Sequence, residues 1–268
     1  MDVPRSSDAR TPERIAYDQW HAWQGVGAEP DAIWHRMVIR HLLPARDLGG
    51  RRVLEMACGR GGFSYWLATQ VLRPRQLVSA DFSQVAVDKG ASFAARHDVR
   101  IAFEVCDITR LAHPDAAFDT VISCETIEHV PEPQQAIAEL ARVLAPGGRL
   151  VAATMGPGMM HEIWDLVADD GTTPDLTFSS TNGHSVLGRQ FLDVERRDLR
   201  GTAVFPDREA VLDYMRATLT RAHLAEQLPA FVGSMRATTT NSVFIARTPV
   251  ARIEARPGVA FVDGRSAA

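Results

Sequence analysis

Apolar and polar positions follow two alternating periods along this chain, most densely in its middle third. Residues 51–57 (Arg-Arg-Val-Leu-Glu-Met-Ala) are a short apolar run that ends in glycines, and they read as a strand. Helical spacing follows over 62–72, a second strand over 75–81, and a helix over 83–97 with Ser83 at its N-cap. Residues 100–106 alternate as a strand does, and 118–124 are another apolar run. Ile137, Leu140, Val143 and Leu144 give 133–145 a helical period; Pro146-Gly147-Gly148 stops it, and 149–155 returns to strand.

The flanks are weaker. Residues 15–43 read as helix and carry Trp20, Trp23 and Trp34, with a break at Pro30 and Asp31 as the N-cap of the second piece. Residues 1–14 are polar and expected to fray. Beyond 156 the pattern predicts a helix over 158–169, a Gly/Thr/Ser-rich loop over 170–190, and a strand over 192–204. A helix capped by Asp207 and running to Leu219, a last strand over 242–247, and a mixed tail from Pro249 complete the chain.

Strands that alternate with helices imply right-handed crossovers and a parallel sheet covered on both faces. Ligands of such sheets bind beyond the carboxyl ends of the strands. Cys58, Asp81, Asp107, Cys124 and Glu125 all fall at those ends.

Composition narrows the function. With 46% hydrophobic and 23% charged residues over 268 positions, chain-wide disorder is excluded, and the length fits one large domain or two small ones. The net charge of −4 forces no basic face, so nucleic acid is not an expected partner. Of 29 basic residues only Lys89 is lysine, which reads as the codon bias of a GC-rich bacterial genome. No apolar run approaches the roughly 18 residues of a membrane span. The charged N-terminus has no secretory core. Cys58, Cys106 and Cys124 include no C-x-x-C pair, so neither disulfide nor zinc is expected and a cytoplasmic location fits.

The densest motif is Val53-Leu54-Glu55-Met56-Ala57-Cys58-Gly59-Arg60-Gly61-Gly62-Phe63, a strand running through glycines into a helix. Glycine there permits a sharp turn and close approach of a ligand. A G-x-G-x-x-G dinucleotide loop would end at Ser64 and fails, and no Gly-Lys-Ser/Thr completes a P-loop. The pattern is Glu55-x-x-x-Gly59-x-Gly61, with Asp81 twenty residues beyond Gly61, Cys106-Asp107-Ile108 after the third strand, Glu125-x-x-Glu128-His129-Val130 after the fourth, and Arg142-Val143-Leu144-x-Pro146-Gly147-Gly148 before the fifth. Over residues 50–155 this resembles the class I S-adenosylmethionine-dependent methyltransferases, of the small-molecule type.

The resemblance implies an α/β fold: a Rossmann-like doubly wound sheet, mostly parallel with an antiparallel last strand, helices on both faces and an N-terminal helical lid. It divides the chain into a cover (1–44), a methyltransferase domain (45–248) with acceptor-site insertions near 156–190 and 206–240, and a tail (249–268). S-adenosylmethionine is the implied cofactor, with no metal, and the partner is a small-molecule acceptor met by a monomer or homodimer, without nucleic acid or membrane. Tyr17, Glu55, Ala57, Cys58, Gly59, Gly61, Asp81, Phe82, Asp107, Ile108 and Cys124 are the expected cofactor residues. Asp81 suits the ribose diol, Asp107 the adenine amine, Ile108 and Phe82 the ring, and the Cys124 carbonyl the ammonium; turn formation or capping is the competing role of the two aspartates. His129 is the candidate base, or a residue that fastens its loop, with Glu125 as a second catalytic candidate. Trp20, His21 and His161 are candidates for acceptor contact. The acceptor is expected to offer a hydroxyl or amine, as on a secondary metabolite or sugar; a regulatory protein that binds the cofactor without methyl transfer is the alternative.

Overall fold

A computed structural model describes residues 11–27, 32–167, 176–218 and 221–250. The expected break at Pro30 and Asp31, residues 1–10 of the stretch 1–14 expected to fray, and the tail beyond 250 lie outside the described residues, as do 168–175 and 219–220; residues 12–14 are instead the first turn of a helix, capped by the Thr11 hydroxyl on the Arg14 amide.

Seven strands form one sheet: β1 (Arg52–Met56), β2 (Gln76–Asp81), β3 (Ala102–Val105), β4 (Phe118–Cys124), β5 (Leu144–Met155), β6 (Asp193–Phe205) and β7 (Met235–Arg247). Their order is β3-β2-β1-β4-β5-β7-β6. The first five are parallel, and β7 runs antiparallel to both β5 and β6. Order reverses between β1 and β4, which places the ligand crevice at the carboxyl ends of those strands. The antiparallel start of β7 reaches the same edge, where Asn241 pairs with Met155.

Helices α3 (Gly62–Thr69), α4 (Gln84–Arg96) and α5 (Pro133–Val143) are the crossovers. Ser83 caps α4 by accepting from the Ala86 amide at 3.1 Å, as its position predicts. Alternate strand residues feed two cores. Leu54, Val121, Leu150 and Phe244 face α5 residues Ile137 and Leu140 on one side. Val53, Ile122, Val151 and Val243 face Phe63, Leu67, Met37 and Val38 on the other. Both faces are therefore covered, as a parallel sheet requires.

Ahead of the sheet lie α1 (Pro12–Trp23) and α2 (Ile33–His41), followed by one wide turn over Pro44–Leu48. A buried ion pair of Asp47 with Arg149 and the bond from the Leu43 amide to Asp47 Oδ2 (2.6 Å) hold that turn against β5. After the fifth strand, α6 (His161–Trp164), α8 (Arg208–Arg216) and a short 3-10 turn over Ala222–Gln227 build a third apolar cluster from Met160, Ile163, Trp164, Val211, Met215 and Leu224.

Several expectations need correction. The helix expected over 158–169 is a single turn among the described residues, because Met160 takes a left-handed conformation (φ 55°) and its amide bonds to Thr238. The loop expected over 170–190 contains α7 (Gly183–Leu187), packed on Phe178 and Phe244, where Gly183 leaves no room for a Cβ. The last strand begins at Met235, seven residues early. Its polar half pairs with β6 in a long hairpin that no apolar run announces. The insertion expected to end at 240 therefore gives its last residues to the sheet.

Candidate active site

The turn after β1 joins the end of β2 directly. Ala57 (φ 58°), Gly59 (φ 52°) and Gly61 (φ 80°) are left-handed and bend the chain from strand into α3. The Cys58 amide bonds to Ala80 O at 3.0 Å. The Gly59 amide donates to Asp81 Oδ2 at 2.8 Å and the Ser83 amide to Asp81 Oδ1 at 2.9 Å. Burial pushes the Asp81 carboxyl up to about 6, with those amides pulling it back. A carboxylate offers about four acceptor sites, so capacity remains beyond the amides of Gly59, Ser83 and Phe82 that act on it.

The other expected cofactor residues divide. Tyr17, on α1, sits edge-on to Phe82 with ring centroids 4.9 Å apart; burial and the charges of Asp81 and Glu128 raise its hydroxyl to about 12. Glu55 lies below the turn, buried, with its Oε2 bonded by the Ser64 and Ser79 hydroxyls at 2.5 and 2.9 Å; burial lifts it to about 7. It braces the turn from beneath. Gly61 is filled from within the protein: a Cβ would stand 2.8 Å from the Phe103 ring and 2.9 Å from Gly90. Asp107 uses Oδ1 on the Thr109 amide and hydroxyl (2.8 and 2.7 Å), the turn-forming role weighed above. Ile108 is packed in the core, and the Cys124 carbonyl accepts from Thr126 Oγ1 at 2.9 Å. Burial raises all three thiols, Cys106 to about 11, so none is poised as a thiolate.

The α1 helix lies over this crevice. Lys89, the sole lysine, donates to the carbonyls of His21, Ala22 and Gln24 at 2.7–2.8 Å and thereby caps the C-terminal end of α1. Asp18 accepts from the Ser83 hydroxyl, and Arg60 Nε donates to Gly25 O at 2.7 Å. Trp20 Nε1 reaches Ala217 O at 2.8 Å, just past α8, and its ring takes the Arg60 guanidinium. His21 is buried against Gly59 and Arg60, so it belongs with the glycine turn and not with the acceptor side expected for it. Burial and Arg60 lower it to about 4.

The β4 end supplies what sequence reasoning passed over. Glu125 is left-handed (φ 48°), its amide bonds to Ala153 O, and a short 3-10 turn over Ile127–His129 follows. That turn sends Glu128 inward and leaves His129 exposed. Glu128 is 5% exposed, and neither of its carboxylate oxygens makes a hydrogen bond of ordinary length, with the Glu125 carboxyl, the Thr154 hydroxyl and the Met155 amide as its polar neighbours. Asn241 Nδ2 donates to Glu125 Oε1 at 3.4 Å, while its Oδ1 has no partner; neither do the buried hydroxyls of Ser123, Thr154 and Thr239. Burial and mutual repulsion push the Glu125 carboxyl well up, and burial raises Glu128. The motif wording did contain Glu128, but nothing in the sequence separated the buried acid from the exposed histidine beside it. His161 is exposed and turned to Gly158 O, and Met160 packs in the third cluster.

Comparison with known proteins agrees with this geometry. Residues 54–152 match a family model described as a methyltransferase domain. The chain is 31% identical over 182 residues to the 27-O-demethylrifamycin SV methyltransferase of Amycolatopsis mediterranei, covering 68% of this chain and 63% of that protein. It thus spans under two thirds of the length of that relative. Among solved structures, the N-methyltransferase NodS from Bradyrhizobium japonicum WM9, in complex with S-adenosyl-L-homocysteine, superposes with a TM-score of 0.57 at 16% identity, over 88% of this chain and 98% of that one. The [4+2]-cyclase SpnF also has a TM-score of 0.57, at 20% identity, over 88% and 92%. The strand-end loops thus belong to a methyltransferase domain. Over those residues the chain is similar to the class I S-adenosylmethionine-dependent methyltransferases.

Proposed function

We propose that this chain transfers a methyl group from S-adenosylmethionine to a hydroxyl or amine of a small molecule. The observation that carries the reading is the buried Asp81 carboxylate, locked to the glycine turn at the switch point of the sheet with acceptor capacity to spare. Asp81 would hold the ribose diol, Phe82 and Tyr17 would flank the nucleoside, and the backbone of 57–61 would pass beneath the methionine portion. The cofactor, when bound, supplies the methyl group and the leaving thioether.

The chain's own part is alignment and exclusion of water, which account for much of the acceleration in such displacements. In this reading α1 is a lid, and the cluster of α6, α8 and the Ala222–Gln227 turn walls the acceptor site, so the cover, domain and insertions keep the roles expected of them. Among the described residues no helix is long and apolar enough to cross a membrane.

Calorimetry with S-adenosylmethionine and S-adenosylhomocysteine, followed by methyl transfer to an acceptor panel, tests the proposal. Binding of both with turnover of at least one acceptor is expected, and no binding of either would refute it. The alternative is a regulatory protein that binds the cofactor without methyl transfer. Binding without turnover on any acceptor would favour it.

A further inference from the structure

The β4 end carries more acceptors than a hydroxyl can satisfy. Glu128 presents two partnerless oxygens and Asn241 a partnerless amide oxygen, on side chains 5% and 2% exposed. Asn241 also ties the second carboxyl, Glu125, into the same cluster through its Nδ2. These oxygens can only accept hydrogen bonds when the acids are ionised. A hydroxyl ligand brings one donor, whereas an ammonium brings two or three along with a positive charge.

Among the described residues no basic side chain bonds to Glu128, on which His129 acts only through its charge, although buried carboxylates normally have such partners. Tyr17 of α1 and Tyr214 of α8 lie near enough for the charges of Glu128 and Glu125, respectively, to act on their hydroxyls. Trp20 joins α1 to the end of α8 at Ala217 O.

We propose that Glu125, Glu128 and Asn241 form a cation-recognition site for a protonated or quaternary nitrogen of the methyl acceptor. This rests on the methyltransferase reading and narrows its acceptor to a basic amine. Two carboxylates held together resist joint ionisation, and a bound cation removes that resistance.

The test is calorimetry on the full chain saturated with S-adenosylhomocysteine, titrated with 2-phenylethylamine, its N,N,N-trimethyl analogue and 2-phenylethanol. Both cations are expected to bind at least roughly tenfold more tightly than the alcohol, the scale of one charge-assisted contact. Glu128→Gln should reduce that preference to about threefold or less, and Asn241→Asp should enlarge it. Retained binding of S-adenosylhomocysteine shows that each variant folds. Equal affinity for cation and alcohol overturns the proposal, as does no binding of either cation, a preference that survives Glu128→Gln, or a response to Mg2+ in place of the amines. If S-adenosylhomocysteine itself fails to bind the wild-type chain, the cofactor reading falls; the amine titration is then run without it and keeps the same outcomes.

Discussion

At the scale of single residues, burial sets the chemistry. His21 stays neutral against Gly59 and Arg60, with its ionisation lowered from 6.5 to about 4. A histidine held neutral contributes stability above its unfolded value and loses it as pH falls from about 6.5 toward 4. In that window the closed α1 should lose about 1.4 kcal/mol per pH unit relative to a variant without the imidazole. Hydrogen exchange of α1 amides, corrected for intrinsic rates, should show wild type opening between pH 7 and 5 and His21→Phe opening much less. Parallel behaviour of the two would mean that His21 does not report the lid. Glu128 makes a second residue-scale case: losing a buried carboxylate without a partner, Glu128→Gln should leave the ligand-free chain as stable as wild type or more so, by ~1–3 kcal/mol. A thermal melt that falls instead would reveal a partner for that carboxyl.

At the scale of elements, α1 is held by few bonds, and they converge on one side chain. Three carbonyls at its C-terminal end share Lys89 Nζ. Lys89→Met should loosen the helix by about 1–3 kcal/mol, given charge-assisted bonds partly exchanged for water. Limited proteolysis within 12–27 should accelerate while the melting of the sheet stays unchanged, and equal protection would refute the latch. The lysine was visible in the sequence only as a compositional oddity, since its partners lie more than sixty residues away. The strands of the parallel core were legible because each is a short apolar or alternating run that ends in glycine, as β1 and β5 do, or at an acidic residue, as β2, β3 and β4 do at Asp81, Asp107 and Glu125. The start of β7 was not: Arg236 and Thr238–Thr240 are polar, and the segment becomes strand by pairing with β6. The single turn at α6 has periodic Met160, Ile163, Trp164 and Val167, yet the Met160 amide bonds to Thr238 of β7 and sets the start of the helix at His161. The aspartates divide in the same way. Asp81 was legible from spacing because the turn geometry fixes it, while local bonding to Thr109 claims the Asp107 carboxylate.

At the scale of the molecule, seven strands and two covered faces bring three separated segments to one edge. The glycine turn and Asp81 come from the first half, Glu125 and Glu128 from the middle, and Asn241 from near the end. The sheet's integrity therefore governs the site: Phe244, fully buried between Phe178 and α7, should cost about 3–5 kcal/mol when replaced by alanine. Denaturant titration checks this, and a loss below about 1 kcal/mol would contradict the packing described. The acceptor stayed illegible in the sequence because its walls come from segments whose order depends on tertiary packing. The central claim is that Asp81 on the glycine turn holds the cofactor's ribose. Titration of S-adenosylhomocysteine into wild type and Asp81→Asn tests it most directly. The account predicts one site per chain and a loss of about 2–4 kcal/mol, roughly thirty- to a thousandfold in affinity, in the variant. Equal affinity in both proteins, or none in wild type, would contradict it.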